Sequence, residues 1–140
     1  MAEIVVDDTI LASVKGKVVV VTGGAQGIGA ATVIQLFHAG AHVVHGDLDV
    51  EKGTLLDETL RSSLLRRPDQ TNGHGHDHGH GSVQFVKVDV RDYESQLALF
   101  DAALEKHGGV DMAIYCAGVG DRFGWFGPDI VDLKSVREVS

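Results

Sequence analysis

Thr22-Gly23-Gly24-Ala25-Gln26-Gly27-Ile28-Gly29 lies between the apolar run Val18-Val19-Val20-Val21 and the helix-like Ala30-Ala31-Thr32-Val33-Ile34-Gln35-Leu36. A glycine-rich turn joining a strand to a helix can seat a phosphate. The first helical turn has N–H groups without backbone acceptors and carries the positive end of the helix dipole. Gly23 can take backbone angles closed to a side chain, Gly27 leaves room for a pyrophosphate beside the main chain, and Gly29 lets the helix approach the strand. Such a segment is also an ordinary turn in many proteins, so its surroundings decide the reading.

Ala41-His42-Val43-Val44-His45-Gly46-Asp47 reads as a second buried strand ending in a carboxylate. Asp47 falls near the spacing, about 20 residues on, at which an acid reaches the hydroxyls of an adenosine ribose. The plainer alternative makes Asp47 a strand-end turn residue or the cap of the next helix. As a ribose ligand its charge would repel a 2′-phosphate, and neither Gln26 nor Leu48 supplies a compensating cation. The expected cofactor is therefore NAD rather than NADP.

With these residues in place the chain resembles the short-chain dehydrogenase/reductase family. Thr22-Gly23-x-x-x-Gly27-Ile28-Gly29 matches its TGxxxGxG motif, and Asp47 matches its NAD-selecting acid. Val88-Asp89-Val90 matches the acid and apolar pair that contacts adenine, and Cys116-Ala117-Gly118 matches the Asn-Ala-Gly signature with Cys116 in place of asparagine. The match runs from about Lys15 to Gly118 and loosens towards Ser140. The resemblance implies pyrophosphate at Gly23, Gln26, Gly27, Ile28 and Gly29, adenosine ribose at Asp47, and adenine at Asp89 and Val90. Ala117 and Gly118 would border the adjoining ribose. It further implies hydride transfer between a nicotinamide cofactor and an alcohol or carbonyl substrate.

The family's catalytic serine and Tyr-x-x-x-Lys have no counterpart here. Tyr93 is followed at the fourth place by Leu97 and Tyr115 by Val119, so general acid–base chemistry lacks its expected donor. Asp89, Asp111 and Asp121 are conceivable substitutes, but a carboxylate after a strand is more often a cofactor contact, a turn or a solvated charge. The expectation is a fragment, a truncated gene model or a short isoform that binds NAD without catalysis of its own. A noncatalytic cofactor-sensing or partner-binding module is the alternative, followed by a metal-binding protein using its histidines.

The elements needed to position these residues can be read along the chain. Strands are expected near Lys17–Val21, Ala41–Gly46, Val83–Val88 and Val110–Tyr115, all buried, since Val, Ile and Phe runs suit a parallel sheet covered on both faces. Helices are expected at Gly27–Ala39, at Glu51–Leu65 with Leu55, Leu56, Leu60 and Leu64 inward, and at Ser95–His107 with Leu97, Phe100 and Leu104 inward. Right-handed crossovers give a Rossmann-like, doubly wound α/β fold of three layers, strand order 3-2-1-4, ending before a fifth strand. Residues 1–140 thus form a partial NAD-binding domain. Pro128 to Val139 reads as the start of another helix, and Phe123-Gly124-Trp125-Phe126-Gly127-Pro128 as local core or a substrate-facing loop. The fourth strand would keep a bare edge open to self-association or pairing with a homologue.

Between 66 and 82 a polar insert carries His74-Gly75-His76-Asp77-His78-Gly79-His80. Its composition is that of a disordered loop. Neutral imidazoles bind zinc, nickel or copper, but no second Cys/His cluster completes a structural site, and no metal is expected. The net charge of −8 disfavours nucleic acid and anionic lipid. No apolar run approaches the length of a membrane span. One cysteine, Cys116, and the lack of a secretory leader point to the cytosol.

Overall fold

The computed structural model describes residues 8–65 and 81–119. Its elements follow in the order α1 (Asp8–Ala12), β1 (Val18–Thr22), α2 (Gly27–His38), β2 (His42–Asp47), α3 (Val50–Leu65), β3 (Ser82–Lys87), α4 (Tyr93–His107) and β4 (Met112–Tyr115). Among the described residues the strands form one parallel sheet in the order β3-β2-β1-β4. This is the Rossmann-like arrangement expected. Thr22 pairs with Gly46 on one side and Tyr115 on the other, which brings the carboxyl ends of β1, β2 and β4 level.

Successive strand residues point to opposite faces, and both faces of β1 are covered. Val19 and Val21 pack with Val43, Val33, Leu36, Phe37 and Leu60 under α2 and α3. Val18 and Val20 pack with Val44, Val88, Leu99 and Ala103 under α4. A strand buried twice has no polar face to show, hence the unbroken valine run. Helix α4 begins where Asp92 Oδ2 accepts the Ser95 amide at 3.0 Å and stops at Gly108, whose φ of 77° is left-handed.

Three packing expectations fail. The edge strands are not fully buried: Met112 and Tyr115 of β4 are 41% and 69% exposed, and within β3 only Val83 is buried, because among the described residues each pairs on one side only. On α3, Leu60 is buried and Leu56 and Leu64 partly so, but Leu55 is exposed. On α4, Leu97 and Leu104 face outward, while Leu99 and Ala103 are fully buried with Phe100 beside them. Two stripes of helical spacing compete there, and the sheet takes the one containing the small Ala103. The short helix α1 was not foreseen. Phe123 to Pro128, Pro128 to Val139 and the insert histidines lie outside the described residues.

His45 sits on the face of Val43 with no solvent exposure, its ring 5.3 Å from that of Phe85. Neither ring nitrogen has a hydrogen-bond partner. Burial lowers its pKa from 6.5 to about 4, against the opposing pull of the Asp47 charge. The unfolded chain therefore takes up a proton near pH 6.5 that the folded chain resists until about pH 4. Stability is full above that window and falls as the pH drops through it. His107 is shifted in the same direction, by its own burial and then by His42 and Lys106.

At about 1.4 kcal/mol per unit, His45 alone should cost about 3 kcal/mol between pH 6.5 and 4. Urea unfolding at pH 7 and pH 4.5 should show the decline in the wild type. His45→Leu should flatten much of it and leave the pH 7 value within about 1 kcal/mol, since a buried imidazole without partners is exchanged for an apolar group. An unchanged pH dependence in that variant would remove His45 as the cause.

Candidate functional site

The end of β2 shapes the glycine-rich loop. The amides of Gly23 and Gly24 both donate to the Gly46 carbonyl oxygen, at 2.8 and 3.1 Å. The next amide, of Ala25, donates to Asp47 Oδ2 at 3.0 Å. On the other side the Cys116 amide donates to the Thr22 carbonyl at 2.9 Å, drawing the end of β4 against the loop. Gly23 has a φ of +71°, and a Cβ there would lie 2.5 Å from the Ala117 nitrogen. A Cβ on Gly29 would fall onto the Gly23 carbonyl oxygen. Both positions need glycine, one for angle and contact, the other for contact alone.

Beyond Ala25 the chain enters α2. Gln26 is extended and its side chain does not cap α2, whose first turn also lacks an acid. The first amide to bond into the helix is that of Ala30, to the Gln26 carbonyl at 3.2 Å. The amides of Gly27, Ile28 and Gly29 precede it. Nothing lies within 4 Å of where a side chain on Gly27 would begin, and Ile28 is 81% exposed. Donors, dipole and space thus meet at one point, the requirement for holding an anion.

Asp47 stands beside this point. Its Oδ2 holds Ala25 and its Oδ1 accepts the Asp49 amide at 3.0 Å. It is not the cap of α3. That role falls to Asp49, whose Oδ1 accepts the Lys52 amide at 3.0 Å. Lys52 Nζ reaches Asp49 Oδ2 at 3.0 Å and Gln26 Oε1 at 2.8 Å. The Lys52 amide and ammonium together hold the Asp49 carboxyl below its usual range. Neither Gln26 nor Leu48 supplies a cation, but Lys52 brings one to the Gln26 side chain. One turn of α3 carries Lys52 back over the loop, which spacing along the chain did not reveal.

The other expected site residues gather at the same carboxyl edge, after β3 and β4. Asp89 takes Arg91 on both carboxylate oxygens, at 3.0 and 2.8 Å, and the Arg91 side chain and amide pull its pKa down to about 2. Its carboxylate is thus engaged before any adenine arrives. Val90 is partly exposed, and its carbonyl accepts Gln96 Nε2 at 2.6 Å. Ala117 and Gly118 are exposed, Gly118 with open space around it. Cys116 is half-buried and packs under α2, as a spacer would. Asp111 sits at the opposite end of the sheet, with Oδ2 accepting the Val18 amide at 2.8 Å, which excludes it from this site. Among the described residues no cluster of three or more His, Cys, Asp or Glu is placed to hold a metal.

The arrangement fits a nucleoside diphosphate, with amide donors for phosphate and a carboxylate one strand away for ribose. The sequence model of the short chain dehydrogenase family matches residues 17–131. The chain belongs to the short-chain dehydrogenase family. Enzymes of this family use nicotinamide cofactors. This short-chain dehydrogenase chain is 38% identical over 122 residues to a short-chain dehydrogenase/reductase of Acremonium egyptiacum, covering 87% of this chain and 33% of the relative. It is 40% identical over 106 residues to (+)-borneol dehydrogenase 1 of Salvia officinalis, covering 75% of this chain and 33% of the relative. It thus spans about a third of the length of these curated relatives. Its fold is similar to that of a short chain dehydrogenase from Mycobacterium smegmatis, with TM-score 0.70 and 28% identity, over 90% of this chain and 45% of that one. No helix among the described residues is long and apolar enough to cross a membrane.

Gly29→Ala forces a Cβ onto backbone rather than onto a side chain that could move aside. It should cost about 2 kcal/mol or more in chemical denaturation. Ile28→Ala, one residue earlier but exposed, should stay within about 0.5 kcal/mol. Equal effects would mean that the loop and helix do not approach as described.

Proposed function

We propose that this chain binds the ADP portion of NAD and forms the cofactor-binding part of a short-chain dehydrogenase/reductase. The observation that carries this reading is the uncapped, acid-free start of α2 beside a carboxylate already tied to the same loop. The Gly27, Ile28 and Gly29 amides would hold pyrophosphate, with Gly23 and Gln26 shaping the turn. Each Asp47 oxygen accepts one amide, and an ionised carboxylate has lone pairs left for the ribose hydroxyls. Asp89 and Val90 would border adenine, and Ala117 and Gly118 the second ribose.

When bound, the nicotinamide ring would give a hydride to a carbonyl carbon in its reduced form or take one from an alcohol carbon in its oxidised form. These residues bind and orient. No Tyr-x-x-x-Lys occurs among the 140 residues, so we assign no proton transfer to this chain and no turnover to it by itself. Without contacts to the nicotinamide half, three hydrogen bonds at about 1 kcal/mol each, affinity should be roughly a hundredfold below that of a complete site. The lone Cys116, which excludes an internal disulfide, supports a cytosolic location.

Calorimetric titration of the folded chain with NADH should give weak, saturable binding, and no heat with either dinucleotide would remove the reading. Asp47→Ala should weaken both NADH and NADPH, because it also frees the Ala25 amide. It should narrow the ratio between them by about fivefold or more, since the charge facing a 2′-phosphate is gone. An unchanged ratio would clear Asp47 of cofactor selection.

A further inference from the structure

Resting on the reading above, we propose that Lys52 reads the 2′ position of the adenosine ribose, so that the chain accepts NADP alongside NAD. The placement is specific. Lys52 Nζ bridges Gln26 Oε1 at 2.8 Å and Asp49 Oδ2 at 3.0 Å. Gln26 is the residue at which the loop amides turn from β2 towards the ligand side. Asp49 donates its amide to Asp47, the ribose acid. The ammonium therefore caps the gap between the loop and the strand end that holds the ribose.

Charge accounting supports this role. A 2′-phosphate entering beside Asp47 and Asp49 would face two carboxylates, and with no cation it would be rejected outright. Lys52 offsets one of those charges. A lysine ammonium carries three N–H donors, and two are used here, leaving one for a phosphate or ribose oxygen. The Lys52 side chain is 55% exposed on a flexible stem, so it can turn from Asp49 towards an incoming dianion without disturbing packed groups. With NAD, the same ammonium stays on Asp49 and Asp47 takes the hydroxyls. Arg91, the arginine after β3, is already engaged by Asp89.

The test compares Kd values of NADH and NADPH for the wild type, Lys52→Met and Gln26→Ala. In Lys52→Met, NADPH should weaken by about tenfold, the loss of one charge-assisted contact at an exposed position, while NADH changes less than about threefold. Gln26→Ala keeps the cation but cuts its tether to the loop and alters the pyrophosphate turn shared by both dinucleotides, so it is read through their ratio: NADPH affinity relative to NADH should be equal or higher. Equal losses for the two dinucleotides in Lys52→Met, no loss in either, or the same fall in NADPH affinity relative to NADH in Gln26→Ala would each overturn the assignment. The first and third would make Lys52 a loop tether. A salt series on the wild type needs no variant: NADPH affinity should fall more steeply with NaCl than NADH affinity, and parallel slopes count against the proposal. NADH binding that persists while the ratio ignores Lys52 defeats this inference alone. Absence of binding to either dinucleotide defeats the site reading and this inference with it.

Discussion

Three successive amides of the glycine-rich loop, those of Gly23, Gly24 and Ala25, donate to the last two residues of β2. This one set of bonds gives the loop its shape. Glycine makes the path possible, but the neighbouring strand selects it, through the Gly46 carbonyl and the Asp47 carboxylate. After these three amides and Gln26, helix α2 starts, and the amides of Gly27, Ile28 and Gly29 precede its first bond, from Ala30 to Gln26. The parallel pairing of β1 with β2, Thr22 opposite Gly46, sets the height at which this happens. Asp47 thereby has a part in folding as well as in any ligand contact.

The architecture was largely legible from the residues, and for a physical reason. A strand buried on both faces must be apolar throughout, so Val18 to Val21 declares itself, and crossover handedness then fixes the order of the strands. The helix faces were less legible. Leu97 and Leu99 lie about 200° apart around α4, and each belongs to a plausible apolar stripe. The sheet chose Leu99 because Ala103, one turn on, allows close approach. On α3 the buried stripe runs through Leu56, Leu60 and Leu64 and leaves Leu55 exposed.

Within the site, sequence motifs located the loop, Asp47 and the segments after β3 and β4. They did not reveal how those groups spend their hydrogen bonds. Asp89 is committed to Arg91, and Asp47 to two backbone amides. Lys52 escaped notice because it lies 26 positions from Gln26 and belongs to no glycine or acid pattern. Its proximity exists only once α3 folds back along β2 and β3. Pairings of this kind depend on tertiary geometry, which local spacing does not encode.

Folding and the proposed ligand binding draw on the same contacts. Beneath the loop lies His45, close enough that a Cβ on Gly24 would come 2.7 Å from its Cβ. A protonated imidazole there would be a buried charge without water or a hydrogen-bond partner, at a cost of about 3 kcal/mol by pH 4. A ligand that binds only the folded chain returns about 2.7 kcal/mol at a hundredfold excess over its Kd. The two terms are nearly equal. Saturating dinucleotide should thus offset most of the acid penalty, whereas the same ligand at its Kd contributes about 0.4 kcal/mol and leaves the chain exposed to it. If the dinucleotide binds as proposed, its occupancy and pH act on one element, the junction of β2 with the glycine loop.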